Sequence, residues 1–269
     1  MPVYTKEDVK INYLELGSGE PLLLIQGLGV KMSGWYLQVP FFSDKMRVIA
    51  FDNRGVGSSS RPDFPYTMDD FVGDTKGLID HLKIEEKIHL CGISMGGMIV
   101  QNFALKYPEM VKTLILIATT AKSPDAAPII DAVRFLEGKD DLTKIWSTFT
   151  VYFSKTFRDR IGEDEKLFDY LKTDMLTNPT RPQDYINQAS AIANTHDTRE
   201  SLRKIRVPTL IIAAGEDLLL PPSHSKDLSE GIPHSRLEVI GGAGHAVTIE
   251  AADKLNGMIW DFIREHSDS

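Results

Sequence analysis

The chain has a single cysteine, Cys91, among 269 residues. One cysteine excludes an internal disulfide framework and a cysteine zinc site. It falls in an apolar stretch, where a small, weakly polar side chain packs well, so packing is the role expected of it. Basic clusters are missing too. Lys and Arg number 30 against 38 acids, for a formal net charge of -8. The positive residues are dispersed, without the patch that tracks a phosphate backbone, so nucleic acid is not expected as a partner. No apolar run approaches the ~20 residues that span a bilayer, and the first residues lack a charged-then-apolar leader. The expectation is a cytoplasmic protein with no membrane partner. Repeats and low-complexity tracts are also absent. What remains, 42% hydrophobic and 25% charged, is an ordinary globular composition, long enough for one large α/β domain or two small ones.

The stretch that stands out is Cys91-Gly92-Ile93-Ser94-Met95-Gly96-Gly97. An apolar run from Ile88 enters it like a strand, and a helical pattern from about Met98 to Lys106 leaves it. Gly92-x-Ser94-x-Gly96 places glycine two positions to either side of a serine. A strand that turns sharply into a helix strains the serine and brings helix and strand so close that only glycine fits at those positions. The hydroxyl is then held at a helix N-terminus, where free N–H groups favour negative charge. That is a site for a serine nucleophile.

The first 120 residues alternate strand and helix. Leu22–Ile25, Met46–Phe51, Ile88–Ile93 and Val111–Ala118 read as buried strands. Helices are expected at 33–44, after Thr67, and after Ser94. Such alternation implies a parallel sheet with right-handed crossovers. From Lys122 to about Asn194 no buried-strand run occurs. Aromatic-rich amphipathic helices are expected there instead, as an insertion. The rhythm resumes with a strand at 209–214, a helix at 223–231, a strand at 237–240 and one closing helix from Val247 to Arg264. The division expected is a core of residues 1–121 and 197–269 with a helical cap of residues 122–196.

A serine hydroxyl needs a base, and the base needs a partner that fixes its tautomer. Of seven histidines, only His245 sits in a loop directly after a late strand. Among acids, Asp217 has the matching place after strand 209–214, with Glu216 as its near rival. Asp217 could also serve only to bound a turn or cap the next helix. Ser94, Asp217 and His245 each follow a different strand, at the end where sites form in parallel sheets. Two backbone N–H groups, those of Met95 and Leu28, are the expected oxyanion donors, with Gly27 and Gly29 allowing close approach.

Together with the loop Asp52-Asn53-Arg54-Gly55-x-Gly57-x-Ser59, these motifs resemble the α/β-hydrolase superfamily over nearly the whole chain, and its serine esterase and lactonase-like branch in particular. The resemblance implies an α/β-hydrolase fold: a mostly parallel sheet flanked by helices, with a helical cap insertion. It implies a structural role for Asp52 and Arg54. Many relatives begin the oxyanion loop with His-Gly; this chain has Gln26-Gly27. Trp35 has a counterpart that borders the pocket in lactonase-like members, and packing in the core is its alternative. The reaction implied is hydrolysis of a small-molecule carboxylic ester or lactone, without cofactor or metal. Carbon–carbon bond hydrolysis, perhydrolase activity and ligand binding with little turnover are the alternatives. Trp146, Phe149, Tyr152 and Phe153 are the candidates for an apolar pocket roof. The oligomeric state is open, and a homo-oligomer is compatible with everything above.

Overall fold

Continuous apolar runs become strands here because both faces of the sheet are covered. The computed structural model describes residues 2–6 and 8–267. Its strands are β1 (Val3–Lys6), β2 (Val9–Leu16), β3 (Pro21–Ile25), β4 (Arg47–Phe51), β5 (Ile88–Ile93), β6 (Val111–Ile117), β7 (Thr209–Ala214) and β8 (Ser235–Ile240). They form one sheet in the order β1-β2-β4-β3-β5-β6-β7-β8. β2 runs antiparallel to β1 and β4, and the pairs from β4 to β8 are parallel. Side chains alternate between two cores. Leu23, Ile25, Ile49 and Leu90 face one side, where α2 (Met68–His81), α3 (Met95–Lys106) and α9 (Pro222–Gly231) contribute Phe71, Met98 and Leu228. Leu22, Leu24, Val48 and Cys91 face the other. There α1 (Gln38–Ser43) and α11 (Ala252–Glu265) contribute Phe42, Leu255 and Ile259. Thr67 opens α2 with a capping box shared with Asp70, satisfying two otherwise orphan N–H groups.

β3 is the switch point. The chain leaves it toward β4 on one side and later returns to its other side as β5. Loops that follow two such neighbouring strands diverge and leave a crevice at the strands' carboxyl ends. The Gln26–Gly29 loop and Ser94 lie on the two sides of that crevice.

Between β6 and β7 lie α4 (Ala127–Leu136), α5 (Asp141–Tyr152), α6 (Lys155–Glu163), α7 (Glu165–Leu176) and α8 (Pro182–Thr195). An isolated bridge between Lys122 and Asp197 joins the chain as it enters and leaves this segment. The segment has a core of its own, with Ile145, Phe149, Phe153, Phe157, Ile161 and Leu171. That core belongs to α5–α7: α4 buries no residue, and α8 packs its Ala191 and Ile192 into the sheet's core on the side of α2 and α3.

Two elements differ from their sequence reading. The helix expected at 33–44 is a 3-10 turn, Met32–Trp35, followed by α1. Asn256 Nδ2 donates to the Leu37 carbonyl between them at 3.0 Å. The closing helix breaks at Ala251 into α10 (Val247–Glu250) and α11. Ile249 packs against the helical segment and not against the sheet.

Two histidines are buried, and burial disfavours their charged form. His89 lies between Thr113 Oγ1 (2.8 Å) and Glu20 Oε2 (2.7 Å). His196 Nδ1 pairs with Asn102 Nδ2 (2.9 Å) and its Nε2 donates to the Thr120 carbonyl (3.0 Å). Burial is the main cause that lowers both from the usual 6.5. At these two sites the unfolded chain therefore binds more protons than the folded one just below pH 6.5, and their contribution to stability falls as the pH drops through that point. Urea midpoints measured downward from pH 6.5 should decrease, and His196→Gln should flatten part of that slope. A midpoint that rises on acidification would contradict the burial argument.

Candidate active site

Ser94 is the residue at which β5 becomes α3. Its backbone is in the left-handed half of the map, at φ 55° and ψ -121°. Such strain, on the order of 1–3 kcal/mol, persists only where neighbours enforce it. Ser94 N donates to the Ile117 carbonyl at 3.0 Å, and its own carbonyl accepts from Thr119 Oγ1 at 2.7 Å and Met98 N at 3.2 Å. The flanking glycines are required by contact. A Cβ on Gly92 would lie 2.3 Å from the Gly96 carbonyl oxygen, and one on Gly96 would lie 2.0 Å from that of Ile25. α3 starts at Met95, three residues earlier than its periodicity suggests. The N–H groups of its first turn are therefore grouped directly behind the serine.

His245 and Asp217 meet in the structure. His245 Nδ1 lies 2.7 Å from Asp217 Oδ2, and each residue is 3% exposed. A carboxylate oxygen accepts, so Nδ1 carries the proton and Nε2 presents a lone pair. The other oxygen of Asp217 accepts from Leu219 N (2.8 Å) and Leu220 N (2.9 Å). The turn-binding role weighed for Asp217 and its pairing with histidine thus coexist, one on each oxygen. Glu216 takes no part in this pair. Its backbone N–H donates to the Ala243 carbonyl at 2.8 Å, tying the acid loop to the histidine loop.

The loop after β3 packs directly on the serine. A Cβ on Gly27 would sit 3.1 Å from Ser94 Cβ and 3.6 Å from its Oγ. Within this loop Gly27 N donates to Gln26 Oε1 (3.2 Å), Gly29 N to Gln188 Oε1 (2.7 Å) and Val30 N to the Gly27 carbonyl (3.3 Å). These bonds engage three N–H groups and leave out that of Leu28. Gln26, in the place of the common histidine, is buried and accepts a bond from its own loop. The Asp52 loop braces the same region. Asp52 Oδ1 accepts from Met32 N (2.9 Å), and Arg54 makes a two-pronged ion pair with Asp74 (2.6 and 2.7 Å).

The five pocket candidates separate. Tyr152 stands edge-on to the His245 ring, centroids 5.5 Å apart. Trp35 is fully buried and packs in the core beneath α1 and α11. Phe149 and Phe153 are placed in the core of the helical segment. Trp146 stacks on Phe168 and opens to a groove of about 540 Å³ lined by Thr150, Arg158 and Glu163, away from Ser94 and His245. Periodicity had identified their apolar face without saying what it covers.

Three residues of the site gave no sequence signal. Tyr185 in α8 lies so close over Gly29 that an added Cβ there would fall 2.0 Å from its ring. Gln188, one turn on, holds Gly29 N and donates to the Arg54 carbonyl at 2.8 Å. Glu250 binds beside His245, accepting from Gly244 N at 3.0 Å. Burial raises the Tyr152 hydroxyl from its usual value, with Tyr185 and Asp217 adding to it. Two tyrosines from the helical segment therefore bound the space above the Gly27–Gly29 loop and His245. Among the described residues no group of His, Cys, Asp and Glu is placed to hold a metal ion.

The sheet order, the strand-to-helix elbow and the crevice at the switch point define an α/β-hydrolase fold. The chain belongs to that family: residues 20–252 match the family model described as alpha/beta hydrolase fold. It is similar to 3-oxoadipate enol-lactonase 2 of Acinetobacter baylyi, 33% identical over 268 residues, 96% of this chain and 97% of that one. It is also similar to a 2-hydroxy-6-oxo-6-phenylhexa-2,4-dienoate hydrolase of Comamonas testosteroni, 30% identical over 274 residues, 96% of this chain and 92% of the relative. Among solved structures, the enol-lactonase from Burkholderia xenovorans superposes with a TM-score of 0.88 at 25% identity, covering 98% of this chain and all of that one. The two enol-lactonases fit the lactonase-like branch. No helix among the described residues is long and apolar enough to cross a membrane.

Proposed function

We propose that this protein is a serine hydrolase that opens a carboxylic ester or lactone through an acyl-enzyme. The observation that carries the reading is the buried His245–Asp217 pair at 2.7 Å, on the loops after β8 and β7, together with the strained serine that ends β5. Ser94 attacks the carbonyl carbon while His245 Nε2 takes its proton. Asp217 steadies the imidazolium, and the N–H groups of Leu28 and Met95 receive the oxyanion. His245 then returns the proton to the leaving oxygen. Water, deprotonated by the same imidazole, opens the acyl-enzyme and restores Ser94. Residues 122–196 act as a cap whose tyrosines 152 and 185 close the acyl side.

Cations of the loops after β3 and β4 and at the start of α8 are paired. Lys31 pairs with Asp174, Arg54 with Asp70 and Asp74, and Arg181 with Asp184. This favours an uncharged or weakly polar acyl group. Carbon–carbon cleavage is the second reading, and the dienoate hydrolase relative is what favours it.

A p-nitrophenyl ester series from acetate to decanoate, run beside simple lactones and a vinylogous diketone, separates the two. Ester or lactone turnover, greatest for a short or medium uncharged acyl chain, is expected. Turnover of the diketone alone would sink the ester reading and leave the fold assignment intact.

A further inference from the structure

His245 is held by more than its carboxylate partner. Glu250, at the end of α10, turns its side chain back toward the histidine loop. Its Oε1 accepts from Gly244 N at 3.0 Å and from Ser154 N at 2.9 Å. Its Oε2 accepts from Ser154 Oγ at 2.6 Å. Gly244 immediately precedes His245. Ser154 is the N-cap of α6, its hydroxyl also accepting from Phe157 N at 3.2 Å. On the other side of the histidine, Ala246 N donates to the Tyr152 carbonyl at 2.9 Å.

Both neighbours of His245 are therefore tied to one corner of the helical segment, residues 152–154. Ala246 is tied directly, and Gly244 through Glu250. The corner fits tightly: a Cβ on Gly244 would lie 2.7 Å from Ser154 N and 2.8 Å from both Glu250 Oε1 and the Tyr152 carbonyl oxygen. The same corner sets the Tyr152 ring edge-on against His245. A single side chain meeting three donors from two parts of the chain, next to a residue whose aim matters, does more than fill space.

We propose that Glu250 is a positioning residue that locks the His245 loop to the α5–α6 corner, so that the aim of His245 is set by the helical segment as well as by Asp217. The proposal rests on the reading of Ser94, His245 and Asp217 as the reacting set. Misplacing a base by about an ångström costs on the order of 100-fold in rate while leaving substrate binding largely intact. The loss on removing Glu250 should accordingly fall on kcat and not on KM.

The test uses the full chain with Glu250→Ala, Glu250→Gln, Ser154→Ala and the Glu250→Ala/Ser154→Ala double variant. Two readouts are taken: the rate of Ser94 labelling by a fluorophosphonate, and amide hydrogen exchange at Gly244, Ala246 and Ser154. With wild type labelled, Glu250→Ala is expected to label roughly tenfold to a hundredfold more slowly. On any ester the wild type cleaves, it should lower kcat with little change in KM. Exchange at Gly244 and Ser154 should accelerate. Glu250→Gln keeps one acceptor oxygen and should recover part of the rate. The double variant should lose little more than the worse single one, because both remove the same link. If Glu250→Ala does not fold, the Gln and Ser154→Ala variants carry the comparison. A folded variant labelled at the wild-type rate would overturn the positioning role. If wild type itself resists labelling, the catalytic reading fails, and unchanged exchange at Gly244 and Ser154 would then overturn the lock as well.

Discussion

Ser94→Ala should lower turnover by a factor on the order of 10⁵ to 10⁶, and adding His245→Ala should then change the residual rate by less than about threefold. The expectation follows from how the parts depend on one another. The lone pair on His245 Nε2 has value only if a hydroxyl is there to be deprotonated. With alanine at position 94, the Asp217–His245 pair stays intact at 2.7 Å but has nothing to act on. On the proposed reading, what remains is the loop after β3 and the first turn of α3, whose N–H groups would polarise a carbonyl toward slow attack by water. Residual catalysis of about 10³ to 10⁴ over water is the usual yield of such donors. The check is steady-state kinetics on the best ester or lactone, with circular dichroism to show that both variants fold. A further large loss in the double variant would mean that the two residues act separately, and the acyl-enzyme course would have to be abandoned.

The elbow was legible in the sequence because its geometry leaves only one residue type available. Gly92 and Gly96 are glycine because backbone atoms occupy the space a Cβ would need, and that demand is written as a short local pattern. The strands were legible for a related reason: covered on both faces, β3, β5 and β7 can carry only apolar residues over their central positions. Asp217 and His245 follow the neighbouring strands β7 and β8, and topology translates that placement into nearness. Other features depend on partners far along the chain. Gln188 is 159 residues from Gly29, and Glu250 is 96 from Ser154. A lone polar residue on a helix has no spacing that marks such a bond. Trp35 and the aromatics of α5 illustrate the remaining limit. Period tells which face of a helix is apolar, but the same face suits a core and a pocket wall equally well. Ala251 shows it from the other direction: α10 and α11 read as one helix, yet the turn between them is what lets Glu250 reach back to Gly244.

Gly96→Ala should destabilise the protein by about 3 kcal/mol or more and abolish activity with it. The added methyl would stand 2.0 Å from the carbonyl oxygen of Ile25 and 2.8 Å from that of Gln26. Neither oxygen can yield cheaply, because Ile25 pairs with Phe51 on one side and Gly92 on the other in the middle of the sheet. Relief would have to come from α3, whose Met98, Ile99 and Phe103 are themselves buried in the core. Any shift of α3 carries Met95 N away from the crevice, so stability and chemistry should fail together. Two other alanines calibrate the effect. At Gly27 the new carbon would lie 3.1 Å from Ser94 Cβ, a contact that a small movement of the loop relieves. That variant should fold nearly as well as wild type and lose rate. At Gly257, within α11, nothing lies within 4 Å of the added carbon. There alanine should stabilise by about 0.5–1 kcal/mol, the helix-propensity difference alone. Urea denaturation of the three variants should therefore rank Gly257→Ala above wild type, Gly27→Ala close to it and Gly96→Ala far below. If Gly96→Ala unfolded at the wild-type midpoint, close packing of α3 on β3 could not be what holds Ser94 in its strained conformation.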